Sequence, residues 1–184
     1  MATVLVPLAE GFEELEAVAI IDVLRRGGVK VVVAGLVRGP VKGSRETVVV
    51  PDAALDDAMK QDFDMLVLPG GMPGVKHLRE DPRIRKLLQR YTQADRSTGA
   101  ICAAPSVLAA YGHLAGRKAT SNPKFRDQVA IEGVSYREDP VVVDGNIVTS
   151  RGAGTAIEFA LTLVEKLAGK ATRNEVEVGL VMAH

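Results

Sequence analysis

The chain has 184 residues, with 23 basic and 23 acidic side chains, so its formal net charge at neutral pH is zero. A balanced charge gives no long-range attraction to nucleic acid or to an anionic membrane, and a chain of this length is expected to form a single domain, residues 1–184. The one cysteine, Cys102, excludes a disulfide framework within the chain and a zinc site built from several cysteines, and it suits a reducing compartment.

The N-terminal segment lacks the basic start of a secretory signal peptide, and no apolar run reaches the roughly 20 residues that span a bilayer. We therefore expect a soluble, cytoplasmic protein with no membrane partner and no specific nucleic-acid site. A small polar or carbonyl ligand is the better expectation for a chain of this charge.

Residues 3–36 predict a β-α-β unit. The continuous apolar run over 3–8 is typical of a parallel strand buried on both faces, and residues 30–36 form a second strand. The helix between them begins near Glu13 and ends at Gly27, and a crossover of this kind is right-handed. The apolar positions of this helix, which follow the helical period, are Leu15, Val18, Ala19, Val23 and Leu24.

The rest of the chain continues to alternate between strands and helices. Its predicted elements are a hairpin or edge excursion ending in 47–50, a short helix over 54–59, a core strand over 64–68, a helix from Pro82 to about Ala94, a strand ending at Ile101, a helix over 103–110, a short strand over 118–120, a short helix after Pro123, a hairpin that pairs 141–143 with 147–149, a helix over 155–167 and an amphipathic segment over 174–182. The loop 69–74 holds three glycines and two prolines, so its backbone is able to approach a ligand closely.

This alternation predicts a doubly wound α/β sandwich, with a mostly parallel sheet and helices on both faces. In such sheets ligands bind outside the carboxyl ends of the strands. Three features map to that edge, namely the acidic stretch 13–16 after the first strand, Gly70 and Gly71 after the third, and Cys102 after the next. Their convergence is hard to explain by packing alone.

Cys102 lies where a buried strand must turn sharply into a helix. Backbone N–H groups at such a position have no intrahelical partner, and their partial positive charge favours a thiolate over a thiol. The alternative is that a lone cysteine serves as a small core residue. The sequence therefore predicts an activated nucleophile at Cys102 if other groups converge on it.

The groups that could converge on Cys102 are carboxyl and backbone N–H groups. A desolvated carboxyl stays protonated beside a thiol or transfers protons. Glu13 and Glu14 also suit a solvated first helical turn, which leaves Glu16 as the better candidate. The N–H groups of Gly71 and Ala103 could form an oxyanion hole, although an ordinary tight turn is an equal alternative.

Other motifs give weaker signals. Gly152-Ala153-Gly154 follows a strand and opens a helix, but the third glycine of a dinucleotide fingerprint is absent, and a close-packed helix start explains the pair equally well. No phosphate-loop or metal-ligand motif is visible, so we expect no cofactor and no metal. The three histidines, His77, His113 and His184, lie outside the motifs, and no catalytic role is expected for them.

Four successive motifs resemble the signatures of the DJ-1/PfpI superfamily, most closely those of the DJ-1 and YajL branch. They are Ala-Glu-Gly-Phe-Glu-Glu-Leu-Glu at 9–16, Leu-Pro-Gly-Gly at 68–71, Ala-Ile-Cys-Ala-Ala-Pro at 100–105 and Ser-Arg-Gly-Ala-Gly-Thr at 150–155. The match covers essentially the whole chain in order. The resemblance implies a flavodoxin-like homodimer in which Cys102 is the reactive nucleophile and oxidation site and Glu16 its protonated partner.

The resemblance also implies further site residues and an activity. The residues that it places at an oxyanion hole or near an anion-accepting dimer edge are Gly71, Ala103, Arg45 and Arg26. The implied activity is cofactor-independent glyoxalase chemistry, which converts methylglyoxal to lactate through a hemithioacetal, with deglycase repair of early glyoxal adducts as a related activity and protection from oxidative stress as the outcome. The alternative is a non-enzymatic redox sensor or holdase chaperone that responds to oxidation of Cys102.

Two positions depart from the patterns of the superfamily. Ala103 stands where protease-like members carry a histidine after the cysteine, so peptidase activity is not expected. Asn122, in a loop that would face the substrate, stands where DJ-1 has a histidine before the proline. Because an amide does not transfer protons at neutral pH, turnover would be weak or would depend on Glu16 alone.

Overall fold

The computed structural model describes residues 1–182. The strands are β1 (Thr3–Leu8), β2 (Lys30–Gly35), β3 (Val41–Lys42), β4 (Val48–Val49), β5 (Ala53–Ala54), β6 (Met65–Leu68), β7 (Ser97–Ile101), β8 (Lys118–Ala119), β9 (Ser135–Tyr136), β10 (Val141–Asp144) and β11 (Ile147–Ser150). The helices are α1 (Glu14–Arg26), α2 (Leu55–Ala58), α3 (Gly74–Glu80), α4 (Pro82–Gln93), α5 (Pro105–Ala110), α6 (Arg126–Val129), α7 (Ala156–Ala168) and α8 (Lys170–Gly179), with 3₁₀ turns at Pro123–Phe125 and Ala153–Thr155.

One seven-stranded sheet organises the molecule, in the order β10-β11-β7-β6-β1-β2-β5. All of its neighbouring pairs are parallel except the antiparallel pair of β10 and β11. The antiparallel pair of β3 and β4 confirms the predicted hairpin between β2 and β5, and β8 pairs with β9 apart from the main sheet. The predicted doubly wound α/β architecture with a mostly parallel sheet is therefore confirmed.

The alternation of side chains along the strands divides the core into two layers. Val4 and Val6 of β1 face the layer under α1 and α7, where Phe159 is fully buried. Leu5 of the same strand and Leu66 of β6 face the opposite layer, which packs against α4 and α5. Because both faces are covered, the central strands are apolar throughout, as their sequences predicted.

Helix α1 has the predicted span but a different buried face. Leu15 and Val18 are 66% and 48% exposed, whereas Glu16, Ala17 and Ile20 are buried along with Val23 and Leu24. The apolar period of this helix is compatible with either face. The face that turns inward packs Ala17, Ile20, Val23 and Leu24 into the core.

A second difference is α3, which the sequence analysis assigned to no element. Its first residue, Gly74, is the last glycine of the loop 69–74, and Phe12 lies so close that a Cβ at Gly74 would be 2.8 Å from the Phe12 nitrogen. Glycine therefore serves close packing at a helix start here, rather than prolonging the loop. No helix within residues 1–182 combines the length and the apolar character needed to cross a membrane.

The order of the strands creates a crevice at the carboxyl edge of the sheet. β1 and β6 are neighbours, and the chain leaves them for opposite faces, into α1 on one side and into α3 and α4 on the other. Such a switch point leaves room for a ligand beyond the strand ends. β7, which ends directly before Cys102, lies beside β6 at this crevice.

Replacing Phe159 by alanine tests the layer under α1 and α7. The side chain is fully buried, so Phe159→Ala is expected to lower the free energy of unfolding by roughly 3–5 kcal/mol. Val178→Ala, at an exposed position of α8, should change it by less than about 0.5 kcal/mol. Urea unfolding followed by circular dichroism measures both, and equal effects of the two substitutions would contradict the assigned packing.

Candidate active site

The backbone of Cys102 is held in an unusual conformation between β7 and α5. Its φ angle is 64°, in the left-handed region that L-residues rarely adopt at a cost of roughly 1–3 kcal/mol. The Cys102 N–H donates to the Ser150 carbonyl at 2.9 Å, and its carbonyl accepts from the Asn122 N–H at 2.9 Å. The predicted sharp turn from strand to helix is confirmed. Hydrogen bonds from Ser150 and Asn122 hold the two backbone polar groups of Cys102.

The carboxyl group of Glu16 is completely buried beside this turn. Its Oε2 accepts a hydrogen bond of 2.8 Å from the Gly70 N–H in the loop that follows β6. Its Oε1 is buried too and receives no hydrogen bond from any of residues 1–182. A buried oxygen without a hydrogen bond carries a desolvation penalty. A ligand that donates a hydrogen bond to Oε1 would remove this penalty.

The neighbouring glutamates have other tasks. Glu13 caps the N-terminus of α1, since its carboxylate accepts from the Glu16 N–H at 2.8 Å. Glu14 accepts from the Ser44 hydroxyl and from the Arg45 N–H, and thereby attaches the β3–β4 hairpin to the start of α1. The acidic stretch thus separates into two structural carboxylates and Glu16, which alone of the three is buried at the thiol.

The thiol and the buried carboxyl shift each other's pKa. Burial raises the pKa of Glu16 from 4.5 to about 7, and the adjacent Cys102 thiol and the Gly70 N–H oppose this shift. Burial first, and then the facing Glu16 carboxyl and its charge, raise the pKa of Cys102 from 9.0 to a net value of about 12. The backbone N–H groups of Ala103 and Gly71 lower it, but by less.

The N–H groups were expected to favour a thiolate at Cys102, but the net pKa of the thiol is raised. The sign of their effect is as predicted, but burial and a facing carboxylate outweigh it. Charge repulsion from Glu16 acts only while that carboxyl is ionised, so a Cys102 thiolate requires a protonated Glu16. The ionisations of the two groups are therefore coupled.

Glycine is required at both positions of the loop that faces the thiol. A Cβ at Gly70 would lie 2.6 Å from the Cys102 Cβ and would collide with Glu16 Oε2. Gly71 has a φ of 95°, and a Cβ there would lie 2.5 Å from the Phe12 carbonyl carbon. Absence of side chains thus lets the loop backbone reach both the carboxyl and the sulfur.

Asn122 and Gly152 border the remaining side of the site. Gly152 follows β11, and a Cβ on it would lie 3.5 Å from Asn122 Nδ2, 3.9 Å from Cys102 Sγ and 3.9 Å from Glu16 Oε1. Three polar groups from different segments therefore face one small space. Asn122 is the residue that the motifs predicted for a substrate loop, whereas Gly152 has no side chain whose chemistry could have indicated a place at the site.

The segment 150–155 supports the thiol turn. The Ser150 carbonyl holds the Cys102 N–H, and the Ser150 hydroxyl lies 2.7 Å from the Thr155 hydroxyl. Thr155 in turn accepts from the Gly152 N–H at 3.1 Å. These bonds explain the Gly-Ala-Gly pattern as a compact helix start. No group of three or more His, Cys, Asp or Glu side chains among residues 1–182 is arranged to hold a metal ion.

The guanidinium groups of the two arginines implied by the resemblance contact groups other than Cys102 and Glu16. The Arg45 guanidinium donates to the Ser44 carbonyl at 3.2 Å. Arg26 pairs with Asp22 at 2.7 Å in the last turn of α1, ten residues from Glu16 and so roughly 15 Å along the helix. Their placement near a dimer edge stays a prediction.

The histidines contact groups other than the thiol. His77 Nδ1 lies 3.1 Å from the Glu10 carbonyl. His113 bonds to the Thr92 hydroxyl, and burial lowers its pKa. His184 lies outside the described residues. The hydrogen bonds of the two described histidines therefore leave Cys102 without an imidazole partner.

Fold and site together define a doubly wound α/β protein with a cysteine and a buried glutamate at the carboxyl edge of its sheet. Residues 2–166 match the family model of the DJ-1/PfpI family. The chain belongs to the DJ-1/PfpI family.

Two relatives and one solved structure match this chain over nearly the whole length of both proteins. It is 46% identical to Protein dj-1beta of Drosophila melanogaster over 98% of this chain and 97% of that protein. It is 41% identical to glutathione-independent glyoxalase DJR-1.2 of Caenorhabditis elegans over 99% of this chain and 96% of that one. The crystal structure of Drosophila DJ-1beta superposes with a TM-score of 0.95 at 45% identity, covering 100% of this chain and 99% of that chain. These matches confirm the family and the fold.

The raised pKa of Glu16 predicts a specific dependence of stability on pH. Because the folded-state pKa lies above the ordinary value of 4.5, ionisation of Glu16 opposes folding. The associated stability is complete below pH 4.5 and is lost as the pH rises through about 7. Relative to Glu16→Gln, the wild type should lose about 3 kcal/mol over this range. Urea unfolding of both proteins from pH 4.5 to 8 measures the difference, and stability curves that run parallel would contradict it.

Proposed function

We propose that this protein is a cofactor-independent glyoxalase that converts short 2-oxoaldehydes such as methylglyoxal to 2-hydroxy acids. The observation that carries the proposal is the fully buried Glu16 carboxyl beside the Cys102 thiol, on which the backbone N–H groups of Gly71 and Ala103 act. One site thereby holds a nucleophile, a proton carrier with a pKa of about 7 and two oxyanion donors. The name of the nematode relative, glutathione-independent glyoxalase, supports the same chemistry.

The first step is addition of the thiol to the aldehyde. Glu16, as the carboxylate, takes the proton of Cys102, and the sulfur forms a bond to the aldehyde carbon. The electron pair of the carbonyl double bond moves to its oxygen, where N–H groups such as those of Gly71 and Ala103 stabilise the charge until a proton arrives. The product is a hemithioacetal on Cys102.

The second step moves a proton between the two carbons. Glu16 gives its proton to the alkoxide, which completes the hemithioacetal. The Glu16 carboxylate then removes the hydrogen of the former aldehyde carbon, whose electron pair forms the double bond of an enediolate, and the hydroxyl proton passes to the oxygen of the neighbouring carbon. Glu16 returns the proton that it removed to the neighbouring carbon, which yields a thioester of the 2-hydroxy acid. Water cleaves the thioester, releases the acid and restores the thiol. Overall, methylglyoxal and one water give lactate, with no oxidant or cofactor consumed.

The same addition would act on early adducts of glyoxals with proteins or nucleotides, which gives a deglycase activity. We rank it below the glyoxalase reaction, because removal of free glyoxal by the first reaction has the same effect on adduct levels. Peptidase chemistry is disfavoured, since Ala103 follows the cysteine and the hydrogen bonds of His77 and His113 go to other groups.

A second candidate function, sensing of oxidants, rests on the same donors. A sulfinate on Cys102 would accept hydrogen bonds from the Gly71 and Ala103 N–H groups and from a protonated Glu16, and these bonds would stabilise the oxidised form. Holdase chaperone behaviour would follow from such a switch. A cytoplasmic location and a role in protection from oxidative stress fit both candidates, because a reducing compartment keeps Cys102 as a thiol.

We also propose that the protein forms a homodimer through the exposed apolar patch of α1. Leu15 and Val18 on this helix lie beside Ile157 and Leu180 around an open cavity of about 420 Å³. Such a patch favours a self-complementary contact with a second copy. Because Glu16 lies on the same helix, the partner would also shield the edge of the thiol site.

Lactate formation from methylglyoxal tests the enzyme proposal. Cys102→Ser and Glu16→Gln are each expected to reduce kcat/KM at least about 100-fold, since one lacks the nucleophile and the other the proton carrier. Glu10→Gln, at an exposed position, is the matched control and should stay within about two-fold of the wild type. Wild-type turnover no faster than that of Cys102→Ser would reject the proposal. A two-oxygen adduct on Cys102 after mild peroxide, seen by intact mass, would then favour the sensor.

Light scattering coupled to size-exclusion chromatography tests the dimer. Val18→Asp places a charge in the patch and is expected to give a monomer at micromolar concentrations, because burying an unpaired carboxylate costs several kcal/mol. Val37→Asp, which is exposed on the loop after β2, should stay dimeric. A wild-type monomer, or a dimeric Val18→Asp protein, would contradict the proposed interface.

A further inference from the structure

The space beside the thiol is bordered by groups that the reaction scheme does not yet use. Measured from the position of a Cβ on Gly152, Asn122 Nδ2 is 3.5 Å away, and Cys102 Sγ and Glu16 Oε1 are each 3.9 Å away. A group on the sulfur that extends toward this position would meet an amide donor and a carboxyl oxygen. This arrangement suits a ligand that carries an oxygen next to the carbon attached to Cys102.

The amide of Asn122 is fixed in one orientation. Its Oδ1 accepts from the Lys124 N–H at 3.1 Å and so caps the 3₁₀ turn, which leaves Nδ2 near the position of a Cβ on Gly152. The Asn122 N–H holds the Cys102 carbonyl at 2.9 Å. Tyr136, whose hydroxyl donates to the Ser121 carbonyl at 3.1 Å, secures the preceding residue. Asn122 is thus a preorganised donor that does not titrate.

Glu16 Oε1 forms the opposite side of this space. It is fully buried and receives no hydrogen bond from residues 1–182. When ionised, Glu16 accepts a hydrogen bond from a ligand hydroxyl. When protonated, it donates one to a ligand carbonyl oxygen. A ligand without such an oxygen leaves Asn122 Nδ2 and Glu16 Oε1 unpartnered, which carries a desolvation cost.

We propose that Asn122 is the residue that selects aldehydes with an oxygen on the neighbouring carbon, and that Gly152 limits the size of the group this space accepts. The inference deepens the proposed glyoxalase function, and it requires only that aldehydes add reversibly to Cys102. In that addition the sulfur bonds to the aldehyde carbon and the thiol proton passes to the carbonyl oxygen. Asn122 Nδ2 donates to the second oxygen, which distinguishes methylglyoxal from propionaldehyde.

Gly152 has a backbone that any residue adopts, with a φ of 160°. A methyl group on it would make ordinary contacts of 3.5–3.9 Å with Asn122, Cys102 and Glu16, so alanine fits the fold. It would, however, occupy the space next to the sulfur into which a substrate extends. Gly154, two residues on, offers a matched control, because a Cβ there meets nothing within 4 Å.

Protection of Cys102 from iodoacetamide measures hemithioacetal formation without turnover. Methylglyoxal and propionaldehyde have the same number of carbons and differ in the second oxygen. The same assay on free N-acetylcysteine gives the intrinsic ratio, which is protection of a thiol by methylglyoxal divided by its protection by propionaldehyde. We expect the wild type to exceed this ratio at least about ten-fold in favour of methylglyoxal, as a lost hydrogen bond to a fixed donor predicts.

Asn122→Asp isolates the donor. Aspartate keeps the size and the Oδ1 cap on Lys124, but it replaces Nδ2 by an oxygen that does not donate. The ratio of protection is expected to fall to that of N-acetylcysteine, and alkylation without aldehyde verifies that the thiol is still accessible. A ratio equal to that of the wild type in Asn122→Asp, or a wild-type ratio equal to that of N-acetylcysteine, would overturn the role of Asn122.

Gly152→Ala tests the size limit with methylglyoxal and the smaller glyoxal. Protection by methylglyoxal is expected to fall about ten-fold relative to protection by glyoxal, whereas Gly154→Ala changes neither. Equal effects on both aldehydes in Gly152→Ala would overturn the size limit. Selective protection without lactate formation would reject the proposed turnover and retain the subsite, so the two failures are distinguishable.

Discussion

The burial of the Glu16 carboxyl beside Cys102 is the interaction on which the rest of the site depends. An ionised carboxylate in such a place costs several kcal/mol unless it is paired, and its pKa accordingly rises to about 7. The Gly70 N–H satisfies one oxygen, and the cap from Glu13 fixes the start of the helix that carries the group. The protonation state of this carboxyl therefore affects the charge of the Cys102 thiol.

The sheet supplies the parts of this site from neighbouring strand ends. β6 leads to Gly70, β7 leads to Cys102, and β11 ends at Ser150, whose carbonyl holds the Cys102 N–H. These strands are adjacent in the order β11-β7-β6, so short loops suffice to bring their ends together. The strained backbone of Cys102 persists because bonds from two separate segments secure it.

Empty space is as important as the polar groups. Side chains at Gly70 or Gly71 would collide with Glu16, Cys102 or the Phe12 backbone, so these glycines set how closely the loop approaches. Gly152 has a different function, because a side chain would fit there and would fill the approach to the sulfur. Gly70 and Gly71 are needed for the loop to pack, and Gly152 leaves space beside the sulfur for a substrate.

Much of this could be predicted from the sequence. Continuous apolar runs predicted the parallel strands, and the positions of Glu16, Gly71 and Cys102 after strands predicted their common edge. The buried face of α1 could not be predicted from the sequence, because Leu15 and Val18 fit the helical period as well as Ala17 and Ile20 do. The raised pKa of Cys102 was also missed, since the N–H groups that lower it are local, whereas the burial and the carboxylate that raise it come from tertiary structure.

Asn122 and Gly152 show a further limit of sequence reasoning. Asn122 was recognised by a substitution within a motif, but the direction of its amide follows from the cap on Lys124. Gly152 belongs to a pattern that first resembles a dinucleotide loop, and only the positions of Cys102, Glu16 and Asn122 around it identify the space it leaves. Local patterns identify candidate residues, and the tertiary structure decides which atoms meet.

The most direct test of the raised pKa of Glu16 is a carbon NMR titration of the Glu16 carboxyl in selectively labelled protein, with the signal assigned by its loss in Glu16→Gln. The structure predicts that this carboxyl titrates near pH 7, far above the ordinary value of 4.5. A titration near 4.5 would show that Glu16 is an ordinary carboxylate at neutral pH, and it would contradict the account of Cys102 and Glu16 as one coupled site.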